Sequence, residues 1–351
     1  MQRLLRRPFF IRLFHWEYWS FGAVYTWIYP IWIFLAFRTR SFFFFAAANP
    51  SIKNGGFLSE SKKDIHDIMP PRLYPPTMHF TVGESGDKVA QQLRGNGFDY
   101  PLIGKPDTGG RGRGVVLLAN ENELRAYTAK TTVDFHIQKF IPYKNEAGIF
   151  YYRYPGEKSG RVSGIVRKEF LTVTGDGKST IRELLLKNDR FRLQIESLAN
   201  IYGEYLENVL TNGEEKLLVP YGNHARGAKF LDDSHLVDAA LEQRMNDICL
   251  AIKDFYFGRL DIKYDNWEDF KQGKKFSVIE VNGAGAEPTH IYDPRHSIFF
   301  AWKEIVRHWF ILNKISRMNH KRGHKYLTAS EGLAMFRQDK EQSKKLLLMK
   351  D

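Results

Sequence analysis

A single cysteine, Cys249, stands in 351 residues. That count excludes an internal disulfide framework and a cysteine zinc site, and it fits a reducing compartment. Cys249 lies in an amphipathic helical pattern, so its expected place is the core. No repeat and no long low-complexity stretch is present, and the length accommodates one large domain or two ordinary ones. No Ser-His-Asp or Cys-His arrangement marks a protein nucleophile. Charge is also missing locally: residues 18–37 form a run of twenty without one (YWSFGAVYTWIYPIWIFLAF).

That run is long enough to span a hydrocarbon core as a helix. It is too long for a signal peptide, and no small-residue cleavage site follows it. Trp and Tyr, which prefer the headgroup level, are abundant in it, and Pro30 interrupts it. Arg3, Arg6, Arg7 and Arg12 precede it, and Arg38 and Arg40 follow. A single span would carry one basic flank across, against the positive-inside tendency. The expectation is a re-entrant or in-plane helix pair broken at Pro30, with both ends on the cytoplasmic face. A single span and a buried aromatic hairpin of a soluble protein are the alternatives.

Beyond the run come four phenylalanines (residues 42–45), an Asn49-Pro50 step and Asn54-Gly55-Gly56, which read as turns. Ser61 is placed to cap a short helix reaching Ile68, which Pro70-Pro71 ends. These features divide the chain into a membrane-associated aromatic segment (1–48), a linker (49–80), a catalytic body (81–310) and a basic tail (311–351). The tail fits a bilayer surface or a solvated helical face equally well. The formal charge of +12 points to an anionic partner: nucleotide, nucleic acid or membrane surface. Nucleotide phosphates and an anionic membrane account for it, so no nucleic acid is expected.

The chemistry concentrates in two places. Arg259-Leu-Asp261 lies in one strand-like stretch, and Glu280-Val-Asn282 closes another. Residues two apart on a strand share a face, so Asp261, Glu280 and Asn282 can converge. Two carboxylates and an amide oxygen suit Mg²⁺ (or Mn²⁺) that substrate phosphates also hold. Arg259 beside them can steady a developing anion. Upstream, a strand ends in Lys105, and Asp107-Thr-Gly109-Gly110-Arg111-Gly112-Arg113-Gly114 follows before a second strand. Its glycines let backbone amides approach phosphate oxygens, with Arg111 and Arg113 adding charge; a flexible basic hairpin tip is the plainer reading.

Three look-alikes fail. A Rossmann fingerprint requires a helix after the glycines, and here a strand follows. Gly175-Asp-Gly177-Lys178-Ser179 lacks the P-loop glycine where Thr172 stands, and reads as a tight Asp-Gly turn capped by Ser179 or Thr180. Asp261-Ile-Lys263-Tyr-Asp-Asn266 copies the spacing of a kinase catalytic loop, but no DFG follows.

The order strand lysine, glycine hairpin, hinge, Arg-x-Asp and Glu-x-Asn resembles the ATP-grasp superfamily, most closely its D-alanine–D-alanine ligase branch. It covers about residues 100–294. The segment 173–184 is similar to one in cyanophycin synthetase, another ATP-grasp ligase. The resemblance implies an α+β fold in which two α/β subdomains clasp ATP, here preceded by the aromatic helical segment. It implies that the hairpin covers the triphosphate and that Lys105 touches it. Gln138, Lys139, Phe140 and Ile141 match the hinge whose backbone reads adenine, and Glu146 matches the ribose-binding acid. Arg259 matches the arginine near the acyl-phosphate, and Asp261, Glu280 and Asn282 match the magnesium ligands. His224 and Arg226 lie where the family has its substrate-side glycine segment, which makes them candidate catalytic residues in contact with substrate or phosphate; an ordinary polar loop is the alternative. Arg153, Arg167 and Lys168 are further cationic candidates.

The implied activity is ATP-dependent joining of a carboxylate to an amine through an acyl-phosphate, releasing ADP and phosphate. The alternative is a membrane-attached ATP-binding module without ligase activity. After Asn282 the chain reads Gly283-Ala-Gly-Ala-Glu287-Pro-Thr-His-Ile-Tyr-Asp293, not the Ser-Pro-Gly type turn of the ligases. The Gly-Ala-Gly amides could face an oxyanion, and Glu287, His290 and Asp293 suggest a cationic amine as acceptor. The address points to envelope or lipid precursors as substrates.

Overall fold

The structure, a computed structural model, describes residues 7–58, 60–110, 112–219, 222 and 224–348. The chain divides into two compact units that do not follow the boundaries read from composition. One joins the described residues up to Tyr29 to Val166–Asp233 and Thr289–Glu304; the other comprises Pro30–Ile165, Ser234–Pro288 and Ile305 onward. Arg3, Arg6 and Arg111, named above, lie outside the described residues.

The larger unit contains two sheets. The first has strand order β1-β4-β2-β3, with β1 Thr77–Phe80, β2 Leu102–Pro106, β3 Val116–Leu118 and β4 Phe135–Lys139. Its apolar face packs Phe80, Leu102, Phe135 and Ile137 against Val89 and Leu93 of the helix Gly86–Gly95 and Leu124 of the helix Glu121–Lys130. The second sheet runs β11-β10-β5-β6, with β5 Asn145–Tyr152, β6 Arg161–Glu169, β10 Phe257–Tyr264 and β11 Phe276–Asn282. The division between the units falls inside β6. Every pairing described among these strands is antiparallel. The helix Ala239–Ala251 covers the second sheet through Leu241, Met245 and Ile248, and Cys249 is fully buried there, as its helical pattern predicts.

The segment read as a linker belongs to this core. Ile52, Ile65, Met69 and Leu73 are buried against β5 and β10. Ser61 does cap a helix, Lys62–Asp67, by accepting the Asp64 amide at 3.1 Å.

The uncharged run is broken into the helices Phe21–Tyr25 and Tyr29–Thr39. The break falls at residues 26–28, not at Pro30. Pro30 sits in the first turn of the second helix, where its missing N–H has no helical partner to lose. Among the described residues, no helix is long and apolar enough to cross a membrane. Part of the run is core: Trp32 and Leu35 pack with Phe44, Phe45, Phe150 and Phe257. The other side of that helix is open, with Phe37 78% exposed and Phe34 55%. Most of the tail's described residues are helical, and Ala329–Leu348 begins against Phe43, whose ring would meet a Cβ at Gly332.

The smaller unit packs β7 (Leu171–Thr174) and β8 (Glu215–Val219) on the helices Ile181–Lys187 and Ile195–Tyr202 through Leu171, Ile181, Leu198 and Leu218. β9 (Lys229–Asp232) pairs with the end of β6. Here the Asp-Gly turn has the structural role expected of it. Asp176 accepts from the amides of Lys178 and Ser179, and Thr180 forms a capping box with Glu183.

Candidate active site

Strand pairing brings the sequence-predicted quartet together. β10 and β11 place Arg259 opposite Asn282 and Asp261 opposite Glu280. A bulge follows, in which Ile262 pairs with Val278 and Ile279 is the extra residue. Side chains directly opposite one another share a face, so all four lie on one side of the sheet. Arg259 Nε donates to Asp261 Oδ1 at 2.9 Å, and its guanidinium also donates to the Glu287 carbonyl at 3.0 Å. Burial works against the Arg259 charge, but Asp261, Glu280 and Glu287 hold its pKa above the ordinary value.

The Lys105 ammonium is buried on β2 and donates to Gln138 Oε1 at 3.2 Å. Burial drives its pKa down to about 7; Lys62 pushes the same way, while Glu280 and Asp107 oppose. Glu280 thus acts on Lys105 and on Arg259 alike. Glu60 lies in the same field: burial raises its pKa, and the charge of Glu280 adds to the effect.

The metal-ligand reading can be tested on these side chains. Two carboxylates and an amide share a face, and the Asn282 amide buries an atom, assigned as Nδ2, with no hydrogen-bond partner. Amide oxygen and nitrogen are assigned from their surroundings, so a bound cation would turn the oxygen toward this position. The donor set is all oxygen, which fits Mg²⁺.

The loop between β2 and β3 has the backbone that its glycines allow. Gly109, Gly112 and Gly114 take φ of +113°, +67° and +66°. Gly110 has open space around its Cα, and Arg113 is exposed. Lys62 Nζ donates to the carbonyls of Asp107 and Gly109 at 3.2 and 3.1 Å, which ties the loop to the helix Lys62–Asp67.

The hinge reading needs correction at one residue. β4 lies between β1 and β2, so the Gln138 backbone is in register with Thr77 on one side and Ile103 on the other. Its side chain, bonded to Lys105 and to the Thr77 hydroxyl at 2.7 Å, is the part that faces the site. Lys139 ends the strand with its amide on the Pro76 carbonyl, and Phe140 and Ile141 lie beyond the ladder. Glu146 is buried on β5 opposite Lys263.

The Gly-Ala-Gly amides are not aimed at an oxyanion. Ala284 and Gly285 donate to the Gly55 and Gly56 carbonyls at 2.9 Å, and Ala286 donates to Gly283. The remaining cationic candidates are engaged elsewhere. Arg153 stacks over Tyr256 and donates to the Glu157 carbonyl, whereas Arg167 pairs with Asp233 and Glu169. Lys168 is buried.

His224 and Arg226 belong to the smaller unit. There His224 sits among Tyr18, Phe230 and Tyr292, and burial, reinforced by Arg190, lowers its pKa to about 3. The half-buried ring packs on these aromatics and meets Arg190 at 3.1 Å. Asp293 and His290 are also occupied within this unit. Asp293 accepts from the Asp232 amide and from Arg295, and His290 lies 3.5 Å from Glu304. The amine-binding role read for them therefore lacks a free carboxylate at Asp293.

Sequence reasoning missed the side chains that support Lys105 and the loop. Gln138 and Asp107 stand inside the quoted motifs, but nothing in their spacing shows that one meets Lys105 and the other anchors the loop root.

No family model matches the chain, and no curated protein matches it in sequence. Solved structures do match. The D-alanine–D-alanine ligase from Bacillus anthracis is 15% identical with a TM-score of 0.43, the match covering 75% of this chain and 69% of that one. The VanG D-Ala:D-Ser ligase from Enterococcus faecalis is 14% identical with a TM-score of 0.42, over 72% of this chain and 61% of that one. A bifunctional glutathione synthetase from Pasteurella multocida is 13% identical with a TM-score of 0.36, covering 68% of this chain. The chain spans 34% of that enzyme's length. At these scores the likeness assigns no activity, and the site rests on this chain's own residues.

Proposed function

We propose that this protein is an ATP-dependent carboxylate–amine ligase of the ATP-grasp kind. The observation that carries the reading is the strand register placing Arg259, Asp261, Glu280 and Asn282 on one face, with the charge of Glu280 acting on buried Lys105.

In this reading a substrate carboxylate oxygen attacks the γ-phosphorus of ATP, and the bond to the β–γ bridging oxygen breaks, releasing ADP. The amine then attacks the acyl carbon, and phosphate and a proton leave as the amide forms. Lys105 binds the phosphates, and Gln138 fixes its ammonium. The glycine loop brings backbone amides over the same oxygens. Arg259, steadied by Asp261 and the Glu287 carbonyl, faces the anion that develops at the acyl centre. Asp261, Glu280 and Asn282 would hold Mg²⁺ or Mn²⁺, which supplies charge compensation to the phosphate oxygens. No protein nucleophile is needed, because positioning and charge stabilisation provide the rate.

The test is a coupled ADP-release screen of purified protein against acids paired with amines, including aminoacyl lipids, amino sugars and amino acids. ADP release that requires one acid–amine pair, and that Asp261→Ala and Glu280→Ala abolish with the fold intact, supports the ligase. ATP binding without turnover across the pairs favours a nucleotide-binding module instead.

Attachment to the cytoplasmic face of a membrane is part of the proposal. The exposed Phe34 and Phe37 of one helix and the arginines beside the run suit an anionic bilayer surface. Envelope or lipid precursors are then the substrates within reach. Co-sedimentation with phosphatidylglycerol vesicles, weakened by Phe34→Ser/Phe37→Ser, is the expected result. Protein that stays in the supernatant at low salt would count against it.

A further inference from the structure

Three histidines far apart in sequence meet beside the root of the glycine loop. His66 comes from the helix Lys62–Asp67, His79 from β1 and His136 from β4, where His79 and His136 are directly opposed. One ring nitrogen or the other from each lies within 4.8 Å of its counterparts. His66 and His136 are buried, and each has a buried Nδ1 without a hydrogen-bond partner. Two such orphaned nitrogens are costly in a site that lacks something to bind them.

The surroundings of His136 account for its tautomer. Its Nε2 meets Asp107 Oδ1 at 2.7 Å, and Asp107 also accepts from Ser61 Oγ and the Lys63 amide at 3.0 and 2.9 Å. A carboxylate with these partners accepts from Nε2, which leaves the lone pair on Nδ1. A carboxylate behind a histidine is the outer arrangement that orients a ligating imidazole. His66 is held by stacking on Tyr74, with ring centroids 4.0 Å apart.

We infer that His66, His79 and His136 form a site for one divalent transition metal ion of the zinc type, backed by Asp107. Three imidazoles with an open fourth position are a zinc arrangement, and nitrogen donors discriminate against Mg²⁺. The ion would tie the helix Lys62–Asp67 to β1 and β4 and, through Asp107, steady the start of the glycine loop. The site is separate in residues and donor chemistry from the oxygen set at Asp261, Glu280 and Asn282, and it does not depend on the ligase reading.

The experiment is a titration of the metal-stripped full chain with Zn²⁺ in excess Mg²⁺, read by calorimetry, and with Co²⁺, read by visible absorption. One equivalent of Zn²⁺ per chain and a Co²⁺ band of tetrahedral intensity are expected. His79→Gln should weaken binding at least about tenfold, and Asp107→Asn roughly 10- to 100-fold. Glu280→Gln should leave it unchanged, which separates this site from the phosphate-side one. If the histidine variants do not fold, modification of His79 by diethyl pyrocarbonate in the unaltered chain gives a second reading, with protection by one equivalent of Zn²⁺ expected. Absence of stoichiometric binding, binding indifferent to His79→Gln in a folded variant, or unprotected His79 overturns the inference.

Discussion

Asn49 takes up both backbone hydrogen-bonding groups of Phe257. Its Nδ2 donates to the Phe257 carbonyl at 2.9 Å, and its Oδ1 accepts the Phe257 amide at 3.0 Å. The same amide donates to Gly55 O at 2.9 Å and accepts from Tyr256 N at 2.8 Å. Asn49 is fully buried, so one side chain satisfies four backbone groups that water does not reach. It also joins the segment 49–58 to the start of the strand that carries Arg259 and Asp261. Asn49→Ala removes this partner from the Phe257 amide and carbonyl and from the Tyr256 amide, each at a cost of about 1–3 kcal/mol before relaxation, while the Gly55 carbonyl keeps the Ala284 amide. We expect a loss of about 3 kcal/mol or more in urea unfolding. A change within about 0.5 kcal/mol, ordinary for a surface site, would show that the bonds are replaceable.

In the smaller unit, Glu17 and Arg190 form a buried pair at 2.7 Å. Arg190 also donates to the Ala228 carbonyl and meets His224 Nε2 at 3.1 Å. Burial holds the Glu17 carboxyl above its ordinary range in spite of Arg190. Removing one partner of a buried pair strands the other, at about 3–5 kcal/mol. Glu17→Ala should therefore cost that much in thermal or urea unfolding, and Glu17→Gln, which keeps an acceptor oxygen, should cost less. Equal, small losses from both variants would show that Arg190 finds water.

If Lys105 holds the phosphates as proposed, binding of ATP is a proton-linked event. In the free protein its pKa is about 7, mainly through burial. A triphosphate beside the amine favours the charged form and raises that value. At pH 8 the free lysine is mostly neutral, so binding should take up close to one proton. Calorimetry in buffers of different ionisation enthalpy measures it, and Lys105→Met should abolish the uptake. Binding heats that do not depend on buffer would refute the assignment. The sign for stability follows from the same shift. The unfolded lysine binds its proton up to about 10.5, so between pH 7 and that value the unfolded chain holds more protons. The penalty for burying the ammonium is complete below pH 7 and is relieved as pH rises.

The quartet at residues 259, 261, 280 and 282 is legible in the sequence because strand alternation is local: period two alone puts each pair on a common face. The capped turn at Asp176 and the helix cap at Ser61 are legible for the same reason. Where long-range partners decide, the chain is silent. Ile52, Ile65, Met69 and Leu73 are too sparse to announce a core stretch, and their proline-rich setting reads as a linker. The amides of Ala284 and Gly285 look available for an anion until Gly55 and Gly56 are found bonded to them. His224 reads as a candidate for substrate contact, and its packing among Tyr18, Phe230 and Tyr292 is not visible in the sequence. His66, His79 and His136 share no spacing that would mark them as a group.

The glycine loop offers a sharper test of what its backbone does. Gly109 has φ +113°, a region that residues with a Cβ rarely adopt, and a Cβ there would also lie 2.5 Å from Leu346 Cδ1. The two obstacles differ in kind. Leu346 presents the end of a flexible side chain that can turn away, whereas the backbone strain stays with the residue at about 1–3 kcal/mol. Gly109→Ala should therefore displace the loop and weaken ATP binding by about tenfold, the equivalent of roughly 1.4 kcal/mol. Leu346→Ala alone should change ATP affinity little. The double variant should remain close to Gly109→Ala, because the strain outlasts the clash. Full recovery in the double variant would mean that the helix Ala329–Leu348, rather than the loop's own backbone, sets the position of the glycines over the phosphates.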